Sequence, residues 1–196
     1  MLGHMAGRPR SFDRDTALAV AVEQFWRHGY DETSIASLTA AMGVTPPSLY
    51  AAFGDKHRLF EEASALYFAR TCEGVDRAMA LPGARDAVAR MLDDTARAHA
   101  APGTPPGCML LTEPRLAAQR DAVQATIVER LDRGVRDGDL PPGTDTTALA
   151  RFLVAVMRGM SGHARDGGTL DELLGIAASA LAALPSPAPS AQHPSA

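Results

Sequence analysis

Four hydroxyls and one ammonium sit close together in the sequence: Thr33, Thr45, Ser48, Tyr50 and Lys56. Their chemistry is non-covalent. A hydroxyl donates a hydrogen bond to a phosphate or base oxygen, and a lysine adds positive charge beside it. No nucleophile stands near a base in this stretch. G-x-S-x-G, phosphate-cradling and Cys–His signatures are absent from the whole chain. The donor set therefore points to recognition of a polyanion rather than to catalysis.

The elements that must carry these donors read as two short helices around a tight turn. Thr33 is the expected cap of the first, with apolar residues at Ile35, Leu38 and Met42. Gly43 supplies the turn, since a positive φ costs glycine little. Val44 follows as a buried plug. Thr45 is the expected cap of the second helix, and Pro46 falls at its first position, where a missing N–H is harmless. Leu49 and Phe53 recur four apart on one face. Such a pair forms a helix-turn-helix, whose second helix enters the major groove of DNA.

The stretch from Phe12 to Leu59 resembles the DNA-binding domain of the TetR family of bacterial transcriptional regulators. The resemblance is carried by Phe25, Gly29-Tyr30, Thr33, Met42-Gly43-Val44, Ser48-Leu49-Tyr50, Phe53-Gly54 and Lys56, with Leu59-Phe60 opening the next helix. It covers about a quarter of the chain, and beyond it only length and helical character are shared. It implies a homodimer that sets two recognition helices in successive major grooves. Tyr50 and Lys56 match positions that touch phosphate, and Thr33 would join backbone N–H groups facing a phosphate. Thr45, Pro47, Ser48 and Ala51 would face the groove, with Arg8 and Arg10 as an arm for the adjacent minor groove. None of the groove-facing residues is Arg, Asn or Gln, and Pro46-Pro47 departs from the glycine or basic residue of many relatives. Readout is therefore expected through thymine methyls, arm insertion and DNA shape.

Bulk properties bound the rest. The chain has 196 residues, 46% hydrophobic, and a net charge of −4. Charge alone would not suggest nucleic-acid binding, which usually shows a basic patch. Two cysteines are too few for a disulfide scaffold, and no signal peptide or membrane-length apolar run appears, so cytoplasmic residence is expected. Arginine far outnumbers the single lysine, and with abundant alanine this suggests a GC-rich bacterial genome. Met1 to Met5 reads partly as a cloning remnant, with Met5 the expected native start.

The expected fold class is all-α. Residues 1–11 form a flexible arm, 12–56 the helix-turn-helix domain, 57–184 a helical ligand-binding and dimerisation domain, and 185–196 a disordered proline-rich tail. Helices are expected over 13–28, from Lys56 to about Ala80, and over 84–100, 116–137, 145–163 and 169–184. The last two are apolar nearly all round, and the resemblance implies that they pair with a second copy through Val156, Met160, Leu173, Ile176, Ala177 and Ala180.

A pocket for a small-molecule effector, also implied by the family, would draw on Met91, Leu92, Thr95, His99, Met109, Leu110, Ile127, Leu131 and Phe152, most of which also suit plain core. His99 reads as a capping or surface histidine. Cys108, after Pro105-Pro106-Gly107, begins a short apolar turn, and a thiol at a helix N-terminus has a lowered pKa. It is the candidate for a redox or electrophile switch; the other reading is a small buried hydrophobe. No histidine pairs with another ligand at metal spacing, so neither metal nor cofactor is expected. The expected partners are double-stranded DNA, a second copy and an unidentified effector, and a repressor is the usual family behaviour. The competing reading is a helical small-molecule-binding module that has lost specific DNA binding.

Overall fold

The computed structural model describes residues 13–186, and these hold nine α-helices, one 3-10 turn and no strand. Residues 1–12, with Arg8 and Arg10, and most of the tail lie outside the described residues. Contacts divide the chain into two units, a head ending at Ala63 and a body beginning at Ser64. The division falls within a long helix rather than at its start near residue 56.

In the head, α1 (Arg14–Glu32) is capped by Asp13, whose carboxylate accepts from Asp15 N and Thr16 N. A further bond from the Thr16 hydroxyl, at 2.7 Å, is the main reason that this carboxyl is held below its usual range. Gly29 (φ 75, ψ 173) breaks the helix after His28, a backbone state open to glycine. The break folds Tyr30 back against Phe25 and Phe60, with centroids 6.2 and 5.0 Å away. Helices α2 (Ile35–Met42) and α3 (Pro46–Phe53) are joined by Gly43 in the left-handed region (φ 66, ψ 32). Leu38 and Leu49 are fully buried, as is Leu59, and Phe25 and Phe53 are nearly so. Arg14 clamps α3 to the rest of the head. Its guanidinium lies 4.5 Å from the Phe53 centroid, donates to Ala52 O, and pairs with Glu62 at 2.7 Å.

Helix α4 (Lys56–Met79) starts where Asp55 accepts from Arg58 N, a bond that keeps the Asp55 carboxyl below its usual range. In the body follow α5 (Ala84–His99), α6 (Met109–Thr112), the 3-10 turn Pro114–Leu116, α7 (Ala117–Asp137), α8 (Thr146–Arg165) and α9 (Leu170–Ala182). Helix α5 packs on α8 and α9, and α8 packs on α6, α7 and α9. Asp145 caps α8, and a Thr169–Glu172 capping box starts α9. Two arginines of α7 satisfy backbone carbonyls at and just after the end of α4: Arg130 donates to Leu81 O and Pro82 O, and Arg133 to Met79 O. Among the described residues no helix is long and apolar enough to cross a membrane.

Candidate functional site

The head positions its donors by burying one side of each short helix. Leu49 and Phe53 turn α3 inward, which leaves Thr45, Pro46, Pro47, Tyr50 and Ala51 exposed, with Ser48 half-buried. Tyr50 is 48% exposed, so its hydroxyl stands free to meet an anion. The Lys56 ammonium rests 4.3 Å from the Tyr30 centroid, a cation–π contact that braces the charge at the start of α4.

Two expectations about caps need correction. Thr33 is 1% exposed, and its hydroxyl donates to Gly29 O at 2.6 Å. Its oxygen serves the break in α1, and the cap of α2 is Ser34, in a reciprocal box with Ser37. Thr33 therefore has no surface to offer a phosphate. Thr45 holds the cap position of α3 without making the cap bond; its hydroxyl pairs with that of Ser48 at 2.9 Å. Thr39 is buried with its hydroxyl back-bonded to Ile35 O and Ala36 O. Sequence reasoning missed Arg14, because nothing in its spacing reveals a partner 48 residues away in Glu62.

In the body, Met91, Leu92, Met109, Leu110, Ile127 and Leu131 are buried core. Thr95 is half-buried and donates to Met157 Sδ at 3.5 Å. Phe152 does not join them: it is 41% exposed on the outer side of α8, where it lines an open groove of about 570 Å³ with Pro142, Leu149 and Pro185. Four residues expected at a dimer seam, Met160, Leu173, Ala177 and Ala180, are covered by their own chain. Val156 and Ile176 are half-buried. The outward stripe is Ala148, Phe152, Ala155 and Gly159 on α8, with Gly175, Ala178 and Ala182 on α9.

His99 is neither a cap nor a surface group. It is 4% exposed, its Nδ1 has no partner, and it borders a 240 Å³ pocket with Pro106, Ala164 and Leu170. Burial, aided by the charge of Arg165, pushes its pKa down to about 4. Above pH 6.5 the imidazole is neutral both folded and unfolded. Between pH 6.5 and 4 only the unfolded chain takes up the proton, so stability falls as pH falls. The full loss is about 3 kcal/mol. Thermal melts from pH 7.5 to 4.5 should show it, and His99→Gln should flatten the profile over that window.

Cys108 also departs from expectation. Its thiol is buried, and burial pushes the pKa up, outweighing the terminus of a four-residue helix. Sγ accepts from the Tyr67 hydroxyl at 3.3 Å, and Cys108 N donates to the Ser161 hydroxyl at 2.8 Å. The same Tyr67 oxygen accepts from Met109 N, so α4, α6 and α8 meet at this cysteine.

Comparison with known proteins agrees with this geometry. Residues 17–63 match the family described as bacterial regulatory proteins, tetR family. The HTH-type transcriptional repressor ComR of Escherichia coli K12 is 33% identical over 193 residues, covering 89% of this chain and 90% of that protein. The HTH-type transcriptional repressor BdcR of the same strain is 31% identical over 186 residues, with the same coverage. Among solved structures, a cysteine mutant of the TetR family transcriptional regulator CifR, complexed with 26bp double-strand operator DNA, superposes with a TM-score of 0.79. It is 40% identical and covers 91% of this chain and 100% of that one.

Proposed function

The chain belongs to the TetR family of bacterial regulatory proteins, and from that membership we propose a transcriptional repressor that binds a palindromic operator as a homodimer and is released by an effector held in the body. The observation that carries the DNA contact is the exposed face of α3, with Tyr50 and Ala51 outward from a helix-turn-helix whose other face is buried. Two such helices, one per protomer, would occupy successive major grooves. The outward stripe of small residues around Phe152 supports the homodimer, since it would let two helix pairs approach closely.

Fluorescence anisotropy on the intergenic DNA beside the gene, at several salt concentrations, tests the reading. Salt-sensitive binding of two chains per palindrome supports it. Binding that never rises above the non-specific level on that DNA, or on duplexes selected from a random pool, would sink it in favour of a module without DNA function. Tyr50→Phe removes one hydrogen bond to phosphate, worth about 1 kcal/mol, and should weaken all sequences alike. Lys56→Ala should in addition lower the salt slope by about 1 per contact. A change of base preference in either variant would contradict the phosphate role.

The effector is assigned to the body around His99, where a neutral imidazole borders the 240 Å³ pocket. A thiol-reactive effector acting at Cys108 is the second reading. The Tyr67–Cys108 contact favours it, because modifying the sulfur would part α4 from α6. Burial sets the condition: both thiols have raised pKa values, but Cys108 is shielded from solvent and should react more slowly than half-buried Cys72. Mass-resolved alkylation ranks the two thiols. Identical release of DNA from Cys108→Ser and the parent after peroxide treatment would exclude the switch.

A further inference from the structure

The helix-turn-helix from Ser34 to Gly54 contains no charged, amide or imidazole side chain. Every residue type that reads a base edge through paired hydrogen bonds is therefore missing from α2, the turn and α3. The hydroxyls do not make up the deficit. Ser34, Ser37 and Thr39 are engaged within α2, Thr45 and Ser48 are paired with each other at 2.9 Å, and a single hydroxyl cannot make a paired base contact, while the length and exposure of Tyr50 suit a phosphate.

What α3 does present is carbon. The pyrrolidine rings of Pro46 and Pro47, the methyl of Ala51 and the γ-methyl of Thr45 are all on exposed residues at one end and along one side of the helix. Pro47 and Ala51 are four apart and share a face. Proline rings and an alanine methyl lose almost no side-chain entropy when they are packed against a surface. Leu49 and Phe53 anchor the helix from beneath, at 0% and 3% exposure, so the patch is rigid.

The major groove offers one apolar group for such a patch, the C5-methyl of thymine; cytosine shows only hydrogen there. We propose that this chain selects its operator by contact between the Pro47–Ala51 face and C5-methyl groups, so that 5-methylcytosine satisfies a position that unmodified cytosine does not. The proposal rests on the DNA-binding reading above and names the chemistry that the interface recognises. It makes cytosine methylation an input to binding. A base edge read by a guanidinium or an amide would instead report on donors and acceptors, which C5-methylation leaves unchanged.

The test uses the full chain and duplexes that it enriches from a random pool. An enriched duplex is resynthesised with uracil for thymine throughout both half-sites, and separately with each thymine·adenine pair changed to cytosine·guanine or 5-methylcytosine·guanine. Loss of each contacted methyl should weaken binding about fourfold, and symmetric loss from two half-sites about tenfold or more. The 5-methylcytosine duplex should bind more tightly than its unmethylated counterpart by a similar factor. In Ala51→Gly the ratio of thymine to uracil affinities should move towards one. A merely loosened α3 would weaken both duplexes alike and leave the ratio unchanged.

Equal binding of the thymine and uracil duplexes, or of the methylated and unmethylated ones, overturns the proposal while leaving the DNA-binding reading intact. Failure to enrich any duplex overturns that reading, and the methyl contact with it.

Discussion

Leu49→Ala is expected to abolish operator binding while the body keeps its helices. Leu49 is fully buried on the inner side of α3. Removing three carbons there costs about 3 kcal/mol in lost burial and residual cavity. The head is a small unit ending at Ala63, with little stability to spare. Its loss would take the exposed face of α3 with it. Far-UV circular dichroism should retain most of the helical signal, which belongs to α5 through α9, while anisotropy falls to background. Wild-type affinity in this variant would show that α3 does not carry the DNA contact.

Arg130→Ala should be the most destabilising change in the body. Arg130 is 1% exposed, pairs with Asp139 at 3.6 Å, and bonds to the carbonyls of Leu81 and Pro82. Asp139 in turn accepts from Ala84 N at the start of α5. Truncation leaves those carbonyls without a donor, opens a cavity and strips Asp139 of its cation, at a cost of about 3–5 kcal/mol. Arg130→Met separates the causes. It keeps most of the volume and removes a buried charge whose Nε and Nη1 have no partner, but leaves Asp139 and the two carbonyls unpaired as Ala does, so it should cost less than Ala by the cavity alone. Denaturant melts of the three proteins give the order. If Met and Ala are equally damaging, the polar bonds rather than the cavity dominate.

The helix-turn-helix and the helix succession were legible because each signal was local. Gly43, Pro46 and the Leu49–Phe53 spacing lie within a few residues of what they determine. Thr33 and Ser34 show where that stops. Both are adjacent hydroxyls able to cap α2, and the choice was made by the break at Gly29, which offers Thr33 a carbonyl. The seam was misread for a related reason. Helices α8 and α9 carry apolar residues on two sides, and periodicity does not say which side faces the chain's own α5. For Cys108 the helix terminus is visible in sequence, whereas the burial that overrides it is tertiary, at a point where Tyr67 and Ser161, distant along the chain, meet the residue.

The caps of the head share a property with a consequence for biogenesis. Asp13 serves Asp15 and Thr16, Ser34 serves Ser37, and Asp55 serves Arg58, so each reaches no further than its own first turn. Contacts of such short sequence separation close quickly. Translation delivers the N-terminal residues first, at about 5–20 residues per second. The head is thus expected to be folded while the ribosome is still adding α8 and α9, so the exposed face of α3 is formed on the nascent chain before the last two helices of the body exist.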